Sequence, residues 1–142
     1  MKYTISEAAK KSNLTAHTIR YYDKEGLLPF VERTESGIRY FTENDLEGLA
    51  VINCLKATGM PIKEIKIFMD WCVQGDSTLK ERYNMFLERK SAVQNQIEEL
   101  QKALDKINYK CWYYKTAMEA KTENIHHTSQ EPQDNLACEN NR

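Results

Sequence analysis

The chain has few residues that punctuate structure: three prolines and five glycines among 142 residues. That scarcity excludes collagen-like and low-complexity architectures. Long apolar runs are also missing. The start, MKYTISEAAKK, offers no core for a secretory signal, and no stretch approaches membrane-spanning length, so a cytoplasmic location without membrane partners is expected. Charge of one sign is not in excess: 20 Lys and Arg face 21 Asp and Glu, a formal net charge of -1. Any attraction to nucleic acid must therefore come from a local basic footprint rather than from the whole molecule. Cysteine is sparse and scattered, as Cys54, Cys72, Cys111 and Cys138, without a CxxC pair. In a reducing compartment these read as thiols, not disulfides. No His, Asp, Glu and Cys cluster has catalytic spacing, so no enzyme activity, catalytic residue or cofactor is expected.

What remains is globular: 41% hydrophobic and 29% charged residues, enough for one small domain plus a long helical element. Helix signals recur along it. Thr4 with Glu7 has capping-box spacing, and Ile5, Ala8 and Ala9 give the following helix a buried side. Ser12–Asn13 breaks that helix, because Asn tolerates the left-handed conformation of a tight turn. Thr15 reads as the next N-cap, with Leu14 and Ile19 as a hydrophobic staple, and Gly26 and Pro29 end the second helix. Two short helices around such a turn make a helix-turn-helix unit.

FVERTESGIRYF, residues 30 to 41, places strand formers on both sides of a polar segment ending in Gly37, which predicts a hairpin wing. Thr42 with Asp45 opens a third helix running to about Thr58, with Phe41 and Leu46 as a second staple. Gly48 inside it weakens the helix by about 1 kcal/mol relative to Ala, so close packing is expected there. Gly59 and Pro61 punctuate, and Ile62, Ile65, Met69 and Cys72 mark a fourth amphipathic helix up to Gly75.

From Thr78, where Glu81 completes a further capping-box spacing, no Gly or Pro occurs until Pro132. Apolar positions step by four and three through Leu79, Tyr83, Phe86, Val93, Ile97, Leu100, Leu104, Ile107, Cys111, Tyr114 and Met118, with Lys90 the one interruption. Such a heptad seam predicts a coiled-coil helix of roughly 60 Å. A small domain cannot cover it, so a second copy of the chain is the expected partner. The fold class is thus mainly α: a winged helix-turn-helix domain over 1–75, a dimerisation helix over 76–121 and a polar, disordered tail over 122–142. His126–His127 in that tail reads as a solvated pair.

The second helix poses the functional question. LTAHTIRYYDKEGLLP hides only Ile19 and Tyr22 and presents His17, Arg20, Tyr21 and Lys24 at helical spacing. The bland reading is a solvated surface helix, since helix-turn-helix pairs also serve as scaffolding. The other reading is a recognition helix in a major groove, with Arg20 on phosphate or guanine and Thr18 and Tyr21 on backbone oxygens or a thymine methyl.

Three stretches sharpen this: TIRYYDKEGLL, the wing ending GIRYF, and LKATGMPIKEI. In their order and spacing, residues 3 to 73 resemble the DNA-binding domain of the MerR family of bacterial transcription regulators, and the long helix extends the resemblance to about 118. The resemblance implies that Arg20 and Tyr21, with Arg39 and Tyr40 of the wing, grip DNA. His17 and Thr18 match positions that vary with operator sequence and so read bases. It further implies a homodimer with antiparallel long helices on double-stranded promoter DNA, bending and undertwisting an overlong spacer for RNA polymerase.

Many relatives bind metal through a cysteine at the start of the dimer helix. Here that region is DSTLKE, with Ser77 and Thr78, so no metal site is expected. Tyr109, Trp112, Tyr113 and Tyr114 either pack the dimer ends or cage a ligand. Cys54 has two readings: a small buried residue, or, by resemblance to the branch of the family that answers to reactive aldehydes and nitrosothiols, a thiol that senses soft electrophiles. Two alternatives stay open beside these: a dimeric coiled-coil interaction protein without DNA affinity, and a regulator of the same family with a non-covalent ligand.

Overall fold

Capping chemistry sets the element boundaries. The fold is that of a computed structural model, which describes residues 1–127. Helix α1 (Ile5–Lys11) starts at a complete capping box between Thr4 and Glu7. Helix α2 (Ala16–Lys24) starts at Thr15, whose hydroxyl accepts the Thr18 N–H, and Asn13 between them takes φ 54°. Strands β1 (Glu32–Arg33) and β2 (Arg39–Tyr40) pair antiparallel with Arg33 opposite Arg39, and Gly37 at φ 84° turns the hairpin. Phe30 and Val31, expected as strand residues, instead pack against the core. Tyr3 bridges to Phe41 and ties the N-terminus to the hairpin.

Helix α3 (Glu43–Ala57) opens with a full capping box, Thr42 with Asp45. That box explains how Asp45 is 6% exposed without being orphaned: its carboxylate accepts the Thr42 N–H at 2.8 Å. Gly48 has the packing reason its sequence position demands, since a Cβ there would lie 2.8 Å from Phe30 Cζ. Helix α4 (Ile62–Gln74) follows Pro61 and stops at Gly75, φ 87°.

A 3-10 turn, Asp76–Thr78, precedes helix α5 (Leu79–Ala120), a continuous element of 42 residues. The Thr78 hydroxyl is directed back to the carbonyls of Trp71 and Gly75, at 2.6 and 2.8 Å, and accepts from Arg82. It thus seals the α4–α5 corner instead of pairing with Glu81 in the expected box.

The first compact unit, Met1–Val93, extends past the expected boundary at 75. The reason is side-chain packing: Met85 lies against the core and Phe86 meets Phe68 edge-on, ring centroids 5.3 Å apart. Its core holds Ile19, Tyr22, Leu27, Phe41, Leu49, Ile52, Leu55 and Ile65, none more than 2% exposed. Each such side chain contributes about 1.5–3 kcal/mol of burial.

The second unit begins at Gln94. In it the expectation of disorder from residue 122 is corrected for the described part. Lys121 takes φ 58°, the Thr122 N–H bonds the Ala117 carbonyl, and helix α6 (Asn124–His127) follows. That 6→1 bond is a Schellman cap built on Lys in place of Gly. His126 is no solvated residue: its ring stacks on Tyr113 at 4.1 Å, and Nε2 lies 2.9 Å from the Tyr113 carbonyl. Residues 128–142, with Cys138, lie outside the described residues.

Candidate nucleic-acid interface

Helix α2 buries Ile19 and Tyr22 and leaves His17, Arg20, Tyr21 and Lys24 exposed, as the spacing predicts. Thr18 is half-buried, its hydroxyl 2.9 Å from that of Thr15, so it stands at the helix N-terminus. In a helix-turn-helix that end meets base edges. The buried face is anchored: Tyr22 donates its phenol to Asn53 Oδ1 of α3 at 3.0 Å.

The wing is held differently. Asp23, on the last turn of α2, accepts from Arg39 Nε at 2.6 Å and Arg33 Nη2 at 2.8 Å, both on the same carboxylate oxygen. Tyr40 donates its phenol to Glu32, and the Lys2 ammonium lies 4.3 Å above its ring. That hydrogen bond, with burial and the charges of Glu32 and Asp45, holds the Tyr40 pKa above its ordinary value. Arg39 and Tyr40 are therefore both engaged by carboxylates within the single chain.

Three contributors escaped sequence reasoning. Arg33 joins Arg39 through the hairpin register, which only the turn geometry fixes. Asp23 could have been noticed as the acid closing α2. Lys56 could not, because its placement depends on how α3 docks on α2: its ammonium lies 5.9 Å from the Tyr21 ring and 5.2 Å from that of Tyr22. It thereby adds a cation beside the recognition helix.

Cys54 is exposed on α3, which corrects the reading of it as a buried packing residue. It follows Asn53, the residue that holds Tyr22. Among the described residues, no group of three or more His, Cys, Asp and Glu is placed to hold a metal. No described helix is long and apolar enough to cross a membrane.

The α5 seam lies bare in the single chain. Leu79, Tyr83, Ile97, Leu100 and Ile107 are 55–70% exposed, Phe86 and Leu104 are 40% and 47%, and Val93 is half-buried. Of the late aromatics, Tyr113 is buried by His126, while Trp112 and Tyr114 remain more than half exposed.

A helix-turn-helix with an exposed basic recognition helix, a short hairpin wing and a long apolar-seamed helix defines a winged DNA-binding regulator. The chain belongs to the MerR family: residues 3–71 match the MerR HTH family regulatory protein, and residues 46–109 match the MerR DNA-binding segment. It is 46% identical over 117 residues to an uncharacterised HTH-type transcriptional regulator of Haemophilus influenzae, covering 82% of this chain and 87% of that one. Its fold is similar to HiNmlR, a MerR family regulator lacking the sensor domain, bound to promoter DNA. The TM-score is 0.81 at 43% identity, over 88% of this chain and 99% of that one. A MerR family transcriptional regulator from Bacillus thuringiensis superposes with TM-score 0.73 at 47% identity, over 78% and 97% of the two chains. The protein is a MerR-family DNA-binding transcriptional regulator.

Proposed function

We propose that the protein acts in the cytoplasm as a homodimer on a dyad operator in promoter DNA. There it distorts the spacer so that RNA polymerase engages both promoter elements. The observation that carries this reading is the face of α2: two buried anchors beneath His17, Arg20, Tyr21 and Lys24, all open to solvent. Arg20, Tyr21 and Lys24 hold phosphates, His17 and Thr18 read base edges, and Lys56 adds a backbone contact beside Tyr21. Arg39 and Tyr40 bring the wing to the adjacent backbone. The bound promoter in the HiNmlR structure supports this reading.

The dimer rests on α5, whose Leu100 is 70% exposed in one chain. A second copy removes that seam from water, and two recognition helices then match a dyad. Bending a short DNA site costs of order 1–6 kcal/mol, which the added phosphate contacts can offset.

Cys54 is the sensing element of this reading. Its exposure gives a soft electrophile direct access, and its neighbour Asn53 anchors the recognition helix. An adduct there acts at the α2–α3 joint rather than by filling a core.

Footprinting on DNA flanking the protein's own gene tests the central reading. It should show a protected dyad with distorted, hypersensitive positions in the promoter spacer. A protein that forms a dimer but protects no DNA would instead favour the coiled-coil interaction module.

A further inference from the structure

We infer that Asp23 sets the discrimination of this protein between its operator and other DNA. It acts as a positioning residue on the two wing arginines. The inference rests on the reading of α2 and the wing as DNA contacts, and goes beyond it in assigning a role to an acid that cannot itself touch phosphate.

The geometry is specific. A single oxygen, Asp23 Oδ2, takes Arg39 Nε and Arg33 Nη2 at 2.6 and 2.8 Å. These arginines face each other across the hairpin, so one carboxylate grips both strands of the wing. Asp23 and Arg39 are 20% and 22% exposed and Arg33 is 50% exposed, so the tie is partly sheltered from solvent. Among the described residues, β1–β2 meets α2 through these ion pairs and no others.

Two consequences follow. First, the wing keeps a fixed distance from the recognition helix, and both engage phosphates only where DNA presents a groove and its flanking backbone at that distance. Second, the carboxylate cancels one of the two arginine charges. The wing thus offers less to arbitrary phosphate, and sequence-independent affinity scales with the cations presented. An unrestrained wing would bind non-operator DNA better and the operator no better. Positioning contacts of this kind set register, not sequence, and their loss erodes the specificity ratio.

The test measures fluorescence anisotropy of the full-length protein with operator and with scrambled duplex across a salt series. Asp23→Asn keeps shape and one acceptor oxygen but removes the charge. Its scrambled-duplex affinity should rise, its salt slope should steepen by about one, and the operator-to-scrambled ratio should fall about tenfold. Asp23→Glu, which retains the charge, should stay near wild type in salt slope.

Arg33→Gln provides the second variant should Asp23→Asn fold poorly. It leaves Asp23 matched one-to-one with Arg39, so scrambled-duplex affinity and salt slope should fall while the ratio holds or rises. An Asp23→Asn protein that folds but keeps the wild-type ratio overturns the inference, as does a fall in ratio for Arg33→Gln. Arg20→Ala is run alongside. If it leaves operator binding unchanged, the groove assignment fails. If it weakens binding while Asp23→Asn keeps its ratio, only the role of Asp23 is lost.

Discussion

Tyr22 donates its phenol to Asn53 across 3.0 Å, so the recognition helix is bonded to the residue immediately before the exposed Cys54. Tyr22 is 2% exposed, which makes this a sheltered bond between α2 and α3. Lys56, over the rings of Tyr21 and Tyr22, adds a second contact from the same stretch of α3. In the proposed sensing reading, a covalent group on Cys54 is carried one residue along α3 from that bond. A change of 1–3 kcal/mol at that joint moves a two-state equilibrium by about one or two decades.

From this comes a genetic expectation. In a reporter driven by the cognate promoter, formaldehyde or methylglyoxal should induce the wild type and not Cys54→Ser, with DNA affinity of the two unmodified proteins equal. Equal induction in both strains would remove Cys54 from the mechanism and favour a non-covalent ligand.

The burial of Tyr22 also has a pH signature. Burial raises the Tyr22 pKa above its ordinary 10.0, with a smaller contribution from Tyr21. A raised folded-state value means the stabilising contribution is complete below about pH 10 and is lost as pH climbs through the folded pKa. Tyr22→Phe should lose about 1 kcal/mol at neutral pH and show a shallower alkaline decline than wild type. Urea melts between pH 7 and 11 measure both, and parallel alkaline declines would contradict the assignment.

Gly48→Ala separates packing from propensity. Helix propensity alone favours Ala by about 1 kcal/mol. The new Cβ would meet Phe30 Cζ at 2.8 Å, however, and overpacking costs about 1–3 kcal/mol. Net destabilisation is expected, relieved when Phe30→Leu is added. A more stable Gly48→Ala protein would show that Phe30 yields freely.

The seam can be probed with one charge. Leu100→Lys or Leu104→Lys should give monomers with much reduced operator affinity, read by analytical ultracentrifugation and anisotropy. If the wild-type chain sediments as a monomer at micromolar concentration, the dimeric reading fails.

Much of this architecture is legible in local sequence chemistry. Thr4–Glu7, Thr15 and Thr42–Asp45 announce helix starts because a cap needs only residues three apart. The exposed face of α2 is likewise a matter of periodicity. What sequence reading misses depends on tertiary docking. Arg33 and Arg39 converge on Asp23 only once the hairpin folds over the end of α2. Thr78 abandons its expected partner because the α4–α5 corner brings the Trp71 and Gly75 carbonyls within reach of its hydroxyl. His126 looks solvated until the Lys121 turn folds it onto Tyr113, a turn that no Gly announces. Cys54 follows the general tendency of free cysteine toward burial only on paper, since its helical position faces solvent.

If the exposed face of α2 reads DNA, removing the Arg20 guanidinium must change how operator binding depends on salt. Anisotropy titrations of wild type and Arg20→Ala against the footprinted operator, over a salt series, measure it. Arg20→Ala should bind more weakly at every salt concentration, with a slope of log affinity against log salt shallower by about one, while His17 or Thr18 substitutions shift sequence preference. Unchanged affinity and slope for Arg20→Ala, with the protein folded and dimeric, would show that the α2 face does not grip DNA.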